Sequence, residues 1–247
     1  MENNKVNIVS HLRVLFRFWY ENHVIIERFD ELLDNYKWVK QEKIPSYYTA
    51  AEIAIIERSA ERSSGVGKRD YAMLLLASRL GLSASDIASL CFNNMDWDKN
   101  EINLTQYKTG KPVSLPLLSD VGNAIIDYLQ HGRFRSDSQQ VFLSARAPYI
   151  PINKTMVSSA IMRMIPLSGV SIENRHHEPH SLRHSLACRL MENSVPIHVI
   201  SEALGHSRTD STLSYLRIDL QSLLKCALAV LPVSDSFYTQ KGGVFYE

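Results

Sequence analysis

This chain of 247 residues has little of what usually assigns a protein quickly. Cysteine is scarce and odd in number: Cys91, Cys188 and Cys226 are scattered, with no paired metal-ligand spacing. Neither a disulfide framework nor a zinc ribbon can be built from them, and they read as reduced core thiols of a cytosolic protein. No run approaches the roughly 18 apolar residues of a membrane-spanning helix. The N-terminus lacks the basic-then-apolar layout of a signal peptide. Asp and Glu do not gather as a Mg²⁺ site requires, and no Walker-type glycine loop is present. No metal and no cofactor are therefore expected. Charge leans to neither sign, with 27 Lys and Arg against 26 Asp and Glu. The whole-chain basic excess that usually marks a nucleic-acid partner is missing.

What is present is unevenly spread. Residues 131–190 hold eight basic and three acidic residues and five of the nine histidines. Elsewhere the two signs balance or the acids prevail, so the positive charge is concentrated in one segment. With 45% hydrophobic and 21% charged residues the chain has the composition of a soluble globular protein, which excludes disordered, collagen-like and coiled-coil readings.

Periodicity predicts mostly helices. Leu12, Leu15, Phe16, Trp19 and Tyr20 recur at helical spacing, and Phe29, Leu32, Leu33 and Tyr36 do so after a polar break. A charged connector holding Pro45 follows and is the best domain boundary. Thr49 and Glu52 have capping-box spacing. A helix from about Asp70 to Leu80 is expected to end at Gly81, and a short one to begin at Ser83, with Asp86 as its capping partner. Asn94 to Trp97 reads as a turn. Glu101 to Leu104 and Val113 to Leu117 alternate as strands around a hairpin at Lys108-Thr109-Gly110-Lys111. Residues 120–131 and 153–165 are amphipathic, and nearly everything after His180 reads as helix. The fold class is mainly α with a small antiparallel sheet.

One constellation carries chemistry. In His180-Ser181-Leu182-Arg183-His184 the two histidines and Arg183 share a face near a helix N-terminus, an end suited to a phosphate. A solvated basic face is the plainer reading of the same residues. Downstream come a helix closed by Gly205, then His206, the capping pair Ser207 and Asp210, and Tyr215, which alone reads as a half-buried packing residue.

Taken in order, these pieces resemble the catalytic domain of the tyrosine recombinases, the phage and transposon integrases and chromosome-dimer resolvases. The resemblance covers roughly 45–230. It rests on Tyr48-Thr49-Ala50-Ala51-Glu52-Ile53, on Gly81 to Leu90, on the Lys108 hairpin ending in Leu115-Pro116-Leu117, on His180 to His184, and on Leu204-Gly205-His206 through Tyr215. It implies that Tyr215 is the nucleophile, giving a 3′-phosphotyrosine and a free 5′-hydroxyl. It also implies that Arg183 forks two oxygens of the scissile phosphate, that His206 donates to it and that His180 assists the tyrosine proton. Lys108 would protonate the leaving 5′-oxygen. Lys111 and Ser181 are taken as DNA contacts. The implied partners are a double-stranded DNA recombination site and further copies of the chain, from dimer to synaptic tetramer, on a bacterial nucleoid or a mobile element in the cytoplasm.

Two departures qualify the resemblance. Ser83 stands where the family has its first catalytic arginine, and a serine supplies no positive charge; impaired cleavage with retained DNA binding is expected. Arg79 lies before the Gly81 break and reads as an ordinary helix-end arginine. Residues 1–43 are expected to be the remnant of a core-binding domain, 44–232 the catalytic domain, and 233–247 an aromatic, glycine-jointed tail that passes to a neighbour or folds back. The alternative is a DNA-binding accessory protein of the same fold that no longer cleaves. A helix-turn-helix regulator would leave the Lys108 hairpin and His180 to His184 as coincidences. A type IB topoisomerase would relax supercoils without sequence preference.

Overall fold

The computed structural model describes residues 2–33, 46–173 and 175–205, with side chains from residue 8 onward. The chain divides into two compact units, Met1–Lys43 and Ile44–Glu247. In the first, α1 (Glu2–Glu21) is followed by a single turn, α2 (Phe29–Leu32). Phe16 packs between Trp19 and Phe29, with ring centroids 5.9 Å apart in both pairs. Asp30 is buried and bound by Arg28 at 3.1 Å, and that guanidinium holds its carboxyl below the usual range. The expected second helix is shorter than its periodicity suggested. Leu33 turns extended, and its carbonyl accepts from Arg13 Nη2 at 3.1 Å where a further turn would have offered an N–H. Tyr36 lies outside the described residues. Leu15, Val14 and Phe18 of this unit are exposed, and Trp19 is half-buried.

The second unit runs α3 (Ala50–Ser59), α4 (Gly65–Arg79), α5 (Ala84–Ser89), β1 (Met95–Asp96), β2 (Glu101–Thr105), β3 (Pro112–Pro116), α6 (Ser119–His131), α7 (Lys154–Leu167), α8 (Pro179–Glu192) and α9 (Ile197–Ala203). The described part is thus mainly α with one small antiparallel sheet in the order β1-β2-β3. Thr49 and Glu52 form the reciprocal capping box that their spacing predicts, and Gly81 ends its helix with φ +65°.

α4 is the hub. Six consecutive residues, Ala72 to Ala77, are fully buried, because α6, α7, α8 and α3 all pack against this helix. A helix apolar on every side belongs at the centre of a fold. α4 also begins earlier than expected, at Gly65 rather than near Asp70, with the Ser64 hydroxyl accepting from Gly67 N at 2.9 Å. Two glycines in a first turn argue against helix by propensity. Packing overrides it: a Cβ on Gly65 would sit 3.0 Å from the Gly132 backbone, so the close approach to the end of α6 needs a bare residue.

The sheet differs from expectation in one place. Met95 and Asp96, read as a turn, form strand β1, paired Met95 with Ile102 and Asp96 with Glu101. The turn falls afterwards, with Asn100 at φ 56°. The core runs from α3 through α7 to Leu182 of α8, and a smaller cluster of Ala187, Met191, Ile200 and Leu204 holds α9 to α8.

A buried ionic group joins α4 to α7 and to the loop before it. Asp70 accepts from Arg69 at 2.8 Å and from Arg163 at 2.6 Å, while Arg69 Nη1 donates to the Leu143 carbonyl at 3.0 Å. Asp70 and Arg69 are both buried, so removing the carboxylate strands a cation without its counter-charge. Asp70→Ala is expected to cost about 3 kcal/mol or more, against about 1 kcal/mol for loss of the exposed cap in Thr49→Ala. Urea unfolding of the two variants checks the order.

Candidate active site

Three segments of the second unit meet around Arg183. α8 opens with Pro179 at its first position, where a missing N–H costs nothing. His180 and Arg183 follow within the first turns. Leu182 points the other way and is fully buried, which anchors the helix and turns Arg183 towards the end of α4 and the end of α9.

The Arg183 guanidinium is held by backbone carbonyls. Nη1 donates to Gly81 O at 2.8 Å, and Nη2 donates to Leu204 O. Two of its five N–H donors thus fix the plane of the fork from two sides. Arg183 is 9% exposed, so its charge sits at the floor of the site. His180 lies three residues before it on α8, its ring edge-on to that of His184 with centroids 4.2 Å apart.

Lys108 lies exposed in the turn between β2 and β3. That turn is bound at both ends. Gln106 N donates to Lys111 O and Gly110 N to Gln106 O, each at 2.9 Å. Tyr107 N donates to Asp86 Oδ1 at 2.8 Å, and the buried Gln106 side chain donates to Leu204 O at 3.0 Å. The hairpin is therefore attached to α5 and to the end of α9, next to Arg183. The electrostatics agree: desolvation first, then the charges of Arg183 and Lys108, push the His180 imidazole below its ordinary pKa.

Ser83 is the N-cap of α5. Its hydroxyl donates to Asp86 Oδ2 at 2.6 Å and accepts from Asp86 N at 3.3 Å, as the capping spacing predicts. Asp86 in turn carries the hairpin through Tyr107, so Ser83 is built into the support of the turn that holds Lys108. Arg79 is engaged elsewhere. Its Nε and Nη2 grip Glu57 at 2.9 and 2.6 Å, with Asp120 3.7 Å away.

The other expected residues fall variously. Lys111 is exposed beside the hairpin turn. Ser181 is 2% exposed and its carbonyl accepts from Ser185 Oγ, so its side chain faces the fold and not the surface. Gly205, the residue before His206, has φ +64°. His206, Tyr215, Ser207, Asp210 and the tail 233–247 lie outside the described residues. Among the described residues no group of three or more His, Cys, Asp or Glu could hold a metal ion, and no helix is long and apolar enough to cross a membrane.

Gln106 and the Asp86–Tyr107 link went unread in the sequence, although one signal was there. Ile102 and Leu104 face inward by the two-residue period of the strand, and Gln106 is next in that phase. A buried amide at such a position must find hydrogen-bond partners.

This fold and this cluster define a tyrosine-recombinase catalytic domain. Residues 38–221 match the model of the phage integrase family, and the chain belongs to that family. It is 34% identical over 186 residues to y4gC of Sinorhizobium fredii (strain NBRC 101917 / NGR234), provisionally named an integrase/recombinase, covering 75% of this chain and 95% of that protein. It is 26% identical to the tyrosine recombinase XerC of Bacillus pumilus (strain SAFR-032), over 91% of this chain and 73% of the relative. Among solved structures it is similar to the XerH site-specific recombinase bound to palindromic difH substrate in a post-cleavage complex. The TM-score there is 0.67 at 20% identity, over 78% of this chain and 56% of the other. Against other Sinorhizobium fredii integrase/recombinase relatives, this chain spans about half of their length.

The arrangement predicts a titration. The His180 imidazole, followed by NMR and assigned with His180→Gln, should titrate below about 6.5. Because a neighbouring cation disfavours imidazolium, Lys108→Met should raise that pKa. An unchanged value would remove Lys108 from the site.

Proposed function

We propose that this chain is a site-specific DNA recombinase that cuts and rejoins strands through a 3′-phosphotyrosine on Tyr215, and that Ser83 slows the chemical step. The observation that carries the reading is the meeting of the Lys108 hairpin and the Arg183 helix at one carbonyl, Leu204 O, from positions far apart in sequence. In the reaction the Tyr215 oxygen forms a bond to phosphorus as the bond from phosphorus to the 5′-oxygen breaks. Neutral His180 takes the tyrosine proton, and Lys108 gives a proton to the 5′-oxygen. Arg183 and His206 neutralise the non-bridging oxygens, where such a transition state spreads its charge. The depressed pKa of His180 suits a proton acceptor near neutral pH. Rejoining reverses the step with a 5′-hydroxyl from another strand, so the phosphate bond energy is kept within the intermediate.

Exchange between two duplexes needs four cut strands, hence four catalytic units, and the partner is double-stranded DNA together with further copies of the chain. On this reading residues 1–43 are the end of a core-binding domain, 44–232 the catalytic domain and 233–247 the tail, acting on nucleoid or mobile-element DNA. Ser83 favours one other reading: a protein that binds DNA and leaves cutting to a partner.

A nicked duplex whose cleaved end diffuses away traps the covalent adduct and separates these readings. The wild-type chain should form adduct slowly, and Tyr215→Phe none. Ser83→Arg should raise the rate by roughly 10³-fold or more, the scale of arginine effects in phosphoryl transfer. Fast adduct formation by the wild type, unimproved by Ser83→Arg, would remove the impairment. DNA binding without adduct in either chain would favour the accessory reading. The acid limb of the pH–rate profile should lie below about pH 6.5, the ordinary imidazole range, because protonating His180 removes the acceptor.

A further inference from the structure

The recombinase reading assigns Lys108 a proton to deliver, but the lysine sits at the exposed tip of a turn, where nothing in the sequence fixes its aim. We propose that Gln106 is a positioning residue for Lys108: its carboxamide bolts the β2–β3 hairpin to the Leu204 carbonyl that also receives Arg183, and so sets the leaving-group proton donor against the phosphate clamp.

The geometry is specific to a carboxamide. Gln106 Nε2 donates to Leu204 O at 3.0 Å, and Gln106 Oε1 accepts from Thr109 Oγ1 at 2.8 Å. A backbone carbonyl can only accept, so the NH₂ must face Leu204, which leaves the amide oxygen for the threonine hydroxyl. Thr109 is the residue after Lys108, and Tyr107, the residue before it, is held by Asp86 Oδ1. Lys108 is thus flanked by two anchors, one on the α5 cap and one on the end of α9. Gln106 is 6% exposed, and burial protects both bonds from exchange with water.

The opposite wall is shaped to receive this side chain. A Cβ on Gly205 would lie 2.1 Å from Gln106 Nε2 and 2.3 Å from both Cδ and Oε1. Any side chain there would expel the amide. Gly205 closes α9, so one carboxamide fixes the separation between the hairpin and the arginine fork.

This inference rests on the recombinase reading, and the test separates the two. The trapped-adduct assay is run with two nicked duplexes, one with the natural 5′-oxygen and one with sulfur in that bridging position. An alkoxide needs a proton as it leaves. A thiolate, with a thiol pKa of about 8.5, leaves without one, so the sulfur substrate bypasses Lys108. Both substrates are given to the wild-type chain and the Gln106→Met and Thr109→Val variants, each with and without Ser83→Arg, and to Lys108→Met as reference.

Gln106→Met should slow cleavage of the oxygen substrate by roughly 10²-fold, the scale of a general acid displaced by about 1 Å. It should cleave the sulfur substrate within a few-fold of the wild type, following Lys108→Met. Thr109→Val, which removes only the hairpin arm, should show the same pattern more weakly. Normal cleavage of the sulfur substrate also shows that the variant is folded. Equal losses on both substrates, or no loss on either, would overturn the positioning role while leaving the recombinase reading intact. Absence of adduct from every chain on both substrates would overturn the recombinase reading, and this inference with it.

Discussion

The carbonyl of Leu204 is one acceptor with two donors, Arg183 Nη2 and Gln106 Nε2. An oxygen with two lone pairs can serve both, and in doing so it joins α8, the hairpin and the end of α9 at a single point. The fold around it makes this meeting possible. α4 is buried on all sides and presents the Gly81 carbonyl at its end, which takes the other arm of Arg183. The guanidinium is therefore held in place by backbone carbonyls on two sides. Ordering a long side chain in advance removes part of the entropy that binding would otherwise cost.

Ser83 is tied into the same set of contacts. Its hydroxyl caps α5 and bonds Asp86, and Asp86 carries the backbone beside Lys108. Arg79 cannot be drawn in, because its guanidinium is spent on Glu57. Together these contacts describe a buried guanidinium beside an anchored hairpin, with Arg79 held apart by Glu57.

How much of this could be read in the sequence depended on how local the cause was. The caps at Thr49, Ser83 and Gly81 were legible, since each rests on hydrogen bonds or dihedrals within four residues. The hairpin and most of the helices were legible from their periods. The start of α4 was not, because its glycines are explained only by the end of α6, which lies far along the chain. β1 was missed because two residues pair as a strand only when a partner is already in place. In the site, the residue types and their order were legible as a family pattern, whereas Gln106 appeared as one more polar residue beside a turn.

The sequence by itself determined the residue types and the family pattern they form, among them an arginine and histidines opening one helix and a lysine in a hairpin turn. Hydrogen-bonding and charge chemistry are properties of residue types, so they can be read without coordinates. The tertiary structure alone decided which groups meet. The shared Leu204 carbonyl, the buried Gln106 amide and the capture of Arg79 by Glu57 join residues 21 to 98 positions apart. No local rule predicts such pairs, because burial of the apolar core brings them together.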